Sequence, residues 1–298
     1  MKLLLKLAFT IIAIALITLS AILAFTWFFN VRTLEAQAKE KWEELALHTM
    51  DKVDRALFER AGDLKMIVQD PVISSPDSSA QQIAKRFMVF RDAYKAYVSI
   101  SFFDLDRIRI ADSSGLDIGK KEIEHRYWED VLQGRPSLAS DMETSGSLGI
   151  PVIYFAAPVQ DKNGQPFGAV VARMRVDKLY EIVGAVDPLL EEGEETLVDL
   201  VDKDGQIIYS SYNRKGILKE KSLDWEAIKR SAGGTVGVLA VHQHLEEQAY
   251  ITVFCREQGY LDFRGNGWTL LVHIPQHTIV DPVVELRNKW LLMIFPSV

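Results

Sequence analysis

The chain has 298 residues, 48% of them hydrophobic and 25% charged, with a formal net charge of −7. This is the composition of a folded domain, and its acidic balance leaves no basic face for nucleic acid. The single cysteine, Cys255, permits no internal disulfide, and in the apolar run YITVFC it reads as a buried structural thiol.

Residues 3–29 (LLLKLAFTIIAIALITLSAILAFTWFF) carry one charge, Lys6, and are long enough to cross a hydrocarbon core of about 30 Å as a helix. A cleaved signal has an apolar stretch of only about 7–15 residues and a small-residue cleavage site. Here the run continues into Trp27, Phe28 and Phe29, side chains suited to the membrane–water interface. Residues 1–30 are therefore expected to be an uncleaved anchor that crosses the membrane once. Lys2 and Lys6 compete with Arg32, Lys39 and Lys41 on the other side, so the lysine and arginine distribution does not fix the orientation.

Beyond the anchor, Leu34, Ala38, Trp42, Leu45, Val53, Leu57 and Leu64 recur at three- and four-residue steps among charged residues. This spacing predicts an amphipathic stalk helix over 31–70, about 50–60 Å long, ending where Asp70-Pro71 forbids continuation. The same stripe is a candidate surface for a homodimer.

After a Ser/Pro/Asp loop and a short helix near 81–90, the signals change to alternating strands, YVSISFFDLD and RIRIADSSG. VDLVDKDGQIIYSS repeats FFDLDRIRIADSS 98 positions later, aligning Asp104 with Asp202, Asp106 with Asp204 and Ile110 with Ile208. Two long hairpins with Gly-rich turns, 154–176 and 250–274, also correspond, as do the intervening segments IEHRYWEDVLQG and LDWEAIKRSAGG. The pattern predicts an α+β protein with two similar antiparallel modules, 71–190 and 191–285, behind one long helix. Trp290–Val298 (WLLMIFPSV) is apolar again after Arg287 and Lys289, so residues 286–298 read as the start of a second span.

In their order and spacing, RYWEDVLQG, GIPVIYFAAPVQDKNGQPFGAVVARM, LVDKDGQIIYSS and GYLDFRGNGWTLLVHIP resemble the double Cache family. These are the extracytoplasmic sensors of bacterial chemoreceptors, sensor histidine kinases and diguanylate cyclases. The resemblance covers most of residues 31–290. It implies two PAS-like modules on a stalk helix, a domain outside the cytoplasm on the bacterial inner membrane, and a small-molecule ligand in the membrane-distal module. The output domain and the ligand are not named by it.

In the family's amino-acid binders an Arg-x-Trp pair grips the ligand carboxylate and an Asp late in the module's last strand takes the amine. Arg126 and Trp128 match the pair, but the Asp position carries Arg173. A guanidinium there repels an ammonium and attracts an anion, so a small organic anion such as a carboxylate is the expected ligand. Each residue also has a plainer reading: Arg126 as a partner of Glu122 or Glu129, Trp128 as core, and Arg173 as a solvated strand charge. Tyr154 and Asp141 are further candidates for the pocket, as hydroxyl and acceptor.

Enzyme and cofactor signatures are missing from the sequence. There is no G-x-S-x-G elbow, H-E-x-x-H, P-loop or G-x-G-x-x-G after a strand. His242 and His244 share one strand face with no third ligand at a metal spacing, and the turns DLD and DKDG lack the twelve-residue ladder of an EF-hand. No catalytic site and no cofactor are expected. The rival to a sensor is a structural or partner-binding exodomain, whose pocket would be packed shut rather than concave.

Overall fold

Residues Lys2–Val68 form one unbroken helix, α1, about 100 Å long at 1.5 Å per residue. The apolar N-terminal segment and the amphipathic segment after it are thus a single element. The computed structural model describes residues 2–123, 125, 127–136, 139–186, 196–233, 236–245, 248–278, 284–285 and 288–289, and only the backbone at 2–5, 8, 16, 23, 31, 34, 35, 38, 239–245 and 248. Most of 286–298, the expected start of a second span, lies outside these residues.

The two halves of α1 differ in what covers them. Phe9–Asn30 has a mean hydropathy of 2.4 and none of its most apolar window is buried. Further along, Trp42, Ala46, Met50, Val53, Leu57, Ala61, Leu64 and Ile67 are buried at three- and four-residue steps, forming the stripe that meets the sheets. Past Val68, the Asp70 carboxylate accepts from the Val72 N–H (3.0 Å) and from Arg86 Nε (2.6 Å), so it fixes the turn into helix α2 (Ala80–Tyr94). Ser79 and Gln82 close the α2 N-terminus as a reciprocal capping box.

Two five-stranded antiparallel sheets follow, of identical topology. The first comprises β1 (Tyr97–Phe103), β2 (Arg109–Asp112), β3 (Met142–Thr144), β4 (Pro151–Gln160) and β5 (Pro166–Arg175), in the order β2-β1-β5-β4-β3. Helix α3 (Tyr127–Leu132) lies between β2 and β3, and α4 (Asp177–Gly184) follows β5. The second comprises β6 (Leu197–Val201), β7 (Ile207–Ser210), β8 (Val236–Leu245), β9 (Gln248–Arg256) and β10 (Thr269–Pro275), in the order β7-β6-β10-β9-β8, with α5 (Trp225–Ser231) before β8. The protein is α+β with a long helix and two antiparallel sheets, as the repeat predicts.

Alternation along each strand sends one face to α1 and the other to the short helix. Ile100, Phe102, Ile153, Phe155, Val170 and Ala172 join α1 in the main core, together with Leu200, Val253, Leu270 and Val272 of the second sheet. The opposite face of sheet one packs under α3, and that of sheet two under α5. The acidic turns are matched in detail: Asp104 Oδ1 accepts from the N–H groups of Asp106 and Ile108, and Asp202 Oδ1 from those of Asp204 and Gln206. Between modules, Trp268 Nε1 donates to Asp141 Oδ1 (3.2 Å), Asn266 Nδ2 to the Ser140 carbonyl (3.3 Å) and Tyr180 Oη to the Ile208 carbonyl (3.0 Å).

Candidate ligand site

The face of sheet one beneath α3 combines charge, aromatic rings and nearly complete burial. β1 contributes Phe103, β4 Tyr154, β5 Val171 and α3 Tyr127 and Trp128 to one buried cluster. In the same register Ser99 of β1 and Tyr154 of β4 flank Arg173 of β5. Arg173 is fully buried, and Tyr154, Trp128, Tyr127 and Arg109 are each 3% exposed or less.

A buried guanidinium is tolerated only when it is paired and hydrogen-bonded. Arg173 Nη1 donates to Ser101 Oγ (2.8 Å) and Ser99 Oγ (3.3 Å), and its Nη2 donates to Glu122 Oε2 (2.6 Å). Arg109 reaches the same oxygen through Nη2 (2.8 Å), while its Nη1 donates to the Leu116 carbonyl (3.1 Å). Two cations therefore share one carboxylate, leaving one net positive charge among the three groups. The guanidinium of Arg173 lies 5.5 Å from the Tyr154 ring centre, and those of Arg109 and Arg173 lie 5.2 and 6.0 Å from that of Phe103, within cation–π range.

His125 stacks on Tyr127 (5.1 Å between centroids) and leans on Tyr154 (4.8 Å). Its Nδ1 is 3.1 Å from Glu143 Oε2, and its Nε2 is 3.9 Å from Glu122 Oε1. Around this centre, Arg109 Nε, Arg173 Nε, His125 Nε2, Tyr127 Oη and Trp128 Nε1 are buried without a hydrogen-bond partner, and the Tyr154 hydroxyl, with Ser145 beside it as a donor, keeps its own proton unpaired. The guanidinium and indole nitrogens can only donate. Burial holds the Tyr127 hydroxyl pKa well above the ordinary phenol value and raises that of Tyr154, so both phenols stay protonated and able to donate. The site offers spare donors, and what fits it is a ligand rich in acceptors.

Of the residues expected from the sequence, Trp128, Tyr154 and Arg173 meet here. Arg126 lies outside the described residues. Asp141 is placed elsewhere, at the contact between modules, where its Oδ2 is 3.6 Å from Lys203 Nζ and its Oδ1 holds Trp268. It lines a cavity of about 340 Å³ with Tyr127, Glu129, Glu143, Lys203 and Asn266. Two expectations need correction. Arg173 is not a solvated strand charge, and Glu122 is not a surface partner on the helix of Arg126, because it precedes α3 and is buried between Arg109 and Arg173.

Arg109, Glu122, Tyr127 and His125 were missed from the sequence. Arg109 had a signal, a charge inside the alternating run RIRIAD. Glu122 had none, because its two partners are 13 and 51 residues away along the chain. Among the described residues no group of three or more His, Cys, Asp or Glu is placed to hold a metal ion.

The matching face of the second module has a different content. His273 occupies on β10 the place of Arg173 on β5, paired with Leu197 of β6 and Thr252 of β9. Its Nε2 is 3.6 Å from Asp199 Oδ2 and 3.7 Å from Asp224 Oδ2, and its Nδ1 is 2.9 Å from Thr252 Oγ1. Tyr212 Oη donates to Asp199 Oδ2 (2.8 Å), and Val201, Ile207, Ile228, Phe254 and Leu271 form an apolar cluster on the same face.

Comparison with known proteins agrees with this architecture. Among curated protein sequences none matches the chain. An extracellular ligand-binding receptor from Desulfohalobium retbaense superposes with a TM-score of 0.60 at 14% identity, over 77% of this chain but only 39% of that one. The periplasmic sensory domain of the Campylobacter jejuni chemoreceptor Tlp1 gives 0.62 at 13% identity, over 84% of this chain and 99% of that one. The ligand-binding domain of the Pseudomonas aeruginosa amino acid chemoreceptor PctB, in complex with L-Arg, gives 0.60 at 16% identity, covering 85% and 93%. At these identities the structural likeness speaks for the fold. The sequence family described as the Cache domain (dCache_1) matches residues 30–283, and the chain therefore belongs to it.

Proposed function

We propose that this chain is the sensor part of a membrane-anchored bacterial signalling protein, and that its membrane-distal module binds a small organic acid. The observation that carries the reading is the set of five buried, unpartnered polar atoms on the α3 face of sheet one together with the unpaired Tyr154 proton, all able to donate except for the tautomer-dependent His125. The spare donors around the two guanidiniums favour an acid with a carboxylate at this spot. Trp128, Tyr154 and Arg173 would contact the ligand, and the family resemblance adds Arg126. An α-amino acid, such as the one bound by PctB, would bring its ammonium toward Arg173.

The remaining parts of the reading follow from α1. Phe9–Asn30 is apolar and long enough to cross a bilayer, with residues 71–190 and 191–285 as modules on the outer side of the inner membrane. A homodimer would have to form through the faces of α1 that the sheets leave uncovered, because the apolar stripe from Trp42 to Ile67 is buried within one copy. Protease added to intact spheroplasts should digest the modules, and full protection would reverse the orientation.

The ligand itself is tested on the full chain in nanodiscs, by thermal unfolding against a panel of monocarboxylates, hydroxy and keto acids, dicarboxylates, amino acids and amines. Stabilisation by one or more of the acids is expected. Stabilisation by amines or zwitterionic amino acids alone would contradict the proposal. A structural exodomain is the second reading, favoured by the complete burial of Arg173 against Glu122; stabilisation by no member of the panel would support it.

A further inference from the structure

Resting on the reading of the α3 face as the ligand site, we infer that Glu122 is a tethered stand-in for the ligand's carboxylate. It holds the anion position between Arg109 and Arg173 until a free acid displaces it.

The geometry is that of a bound carboxylate. Both guanidiniums reach one oxygen, Glu122 Oε2, at 2.8 and 2.6 Å, and that oxygen belongs to neither the sheet nor α3. Glu122 lies in the segment joining β2 to α3. Backbone bonds lay this segment along β2: Arg109 N–H to the Lys120 carbonyl (3.0 Å), Gly119 N–H to the Arg109 carbonyl (2.8 Å) and Glu122 N–H to the Arg107 carbonyl (2.8 Å). The larger apolar side chains around it face water, with Leu116 38%, Ile118 50% and Ile123 61% exposed. Besides Glu122 and these backbone bonds, the segment is held by Arg109 Nη1 on the Leu116 carbonyl and by Asp112 Oδ1 on the Ser114 and Leu116 N–H groups; with little apolar burial it is easier to shift than the sheet it lies on.

A free acid can do more than Glu122 does. Glu122 leaves the Tyr127, Trp128 and Tyr154 donors and both Nε–H groups without partners, so an acid with a second acceptor, a hydroxy, keto or dicarboxylic acid, would satisfy groups the tethered side chain cannot. The tether acts as an intramolecular competitor. It lowers the apparent affinity by the fraction of molecules in which Glu122 occupies the site, and it discriminates against acids offering a carboxylate alone. Displacement also removes the carboxylate facing His125 Nε2, on a ring whose Nδ1 is bonded to Glu143 at the cavity between the modules.

Sodium acetate is the probe, with acetamide and sodium chloride as controls, on the full chain in nanodiscs at pH 7. Glu122→Ala opens the anion position. Acetate should raise its unfolding temperature saturably, by about 4 °C or more, with a midpoint at least tenfold lower than any acetate response of the wild type. The double variant Glu122→Ala/Arg173→Met should lose the response. Equal responses of Glu122→Ala and wild type, no response of Glu122→Ala, or a Glu122→Ala that stays unfolded in acetate would each overturn the inference. Acetate rescue without any acid binding to the wild type would leave the Glu122 contact standing and remove the sensor reading; binding to the wild type without rescue would do the reverse.

Discussion

The two modules share a sheet order, a strand register and an acidic turn, yet the faces beneath their short helices have opposite chemistry. At matched places on β5 and β10 the first carries Arg173, paired to Glu122 with Arg109 alongside, and the second carries His273 between Asp199 and Asp224. Tyr154 opposite Arg173 becomes the smaller Thr252 opposite His273. One face has two cations on a carboxylate, with spare donors. The other has two carboxylates near a histidine, with Tyr212 donating to one of them and an apolar cluster of Phe254, Leu271 and Ile228 on the same face. The scaffold leaves the charge of this position free, and the side chains placed there give the two faces their opposite chemistry.

The largest effect should come from breaking the arginine–glutamate centre of the first module. Glu122→Gln removes the carboxylate that both buried guanidiniums share, and should destabilise the protein by about 3–5 kcal/mol, measured by urea unfolding. A loss below about 1 kcal/mol would mean that other groups balance the two cations.

The modules also dock on α1 differently, and pH should separate them. In the first module Tyr97 Oη donates to Asp63 Oδ2 (3.0 Å), and burial holds that hydroxyl pKa far above the ordinary range. In the second module Asp54 of α1 accepts from the N–H groups of Gln258 (3.1 Å) and Gly259 (2.9 Å), next to Glu257, which accepts from those of Asn266, Gly267 and Trp268. Burial, and then the charge of Asp54, push the Glu257 pKa up to about 8 from an ordinary 4.5. The folded protein therefore keeps a proton that the unfolded chain has released. This contribution is fully present below pH 4.5 and is lost as pH rises toward 8. Wild-type stability should carry this decline between pH 5 and 8, and Glu257→Gln should flatten it; an unchanged slope in the variant would refute the assignment.

Two smaller effects sharpen the comparison. Gly205 takes a left-handed conformation (φ +79°) at the turn position that Arg107 occupies in the first module (φ +68°). Gly205→Ala should be destabilising by about 1–2 kcal/mol, aggravated by a Cβ placed 3.3 Å from Ile228 Cδ1. Asp141→Asn weakens only a long, partly exposed contact with Lys203 (3.6 Å) and should change stability by less than about 1 kcal/mol. A larger loss would give Asp141 a part in coupling the modules.

The fold was legible because its signals are local and repeated. The stripe from Trp42 to Leu64 has helical spacing, and the turns Asp104–Arg107 and Asp202–Gly205 recur 98 positions apart. Three-residue β3 is too short to leave a periodic signal. The site was legible in part: Arg173 stands out as a charge inside an apolar strand, and Tyr154 faces it across β4. Glu122 could not be read, since its role depends on the register that brings β2, β5 and the β2–α3 segment together. Without Glu122, Arg173 would offer its full charge to a ligand, whereas the fold already compensates part of that charge.

The most direct test is calorimetry of the full chain in nanodiscs with the acid that stabilises it best, comparing wild type, Arg173→Ala and His273→Gln. A charge-assisted hydrogen bond contributes about 1.5–3 kcal/mol, so Arg173→Ala should weaken binding roughly ten- to a hundredfold, while His273→Gln should leave the affinity within about twofold, a difference below the 1.4 kcal/mol of a tenfold change. Undiminished binding by Arg173→Ala, or a loss confined to His273→Gln, would place the ligand in the other module and contradict the account.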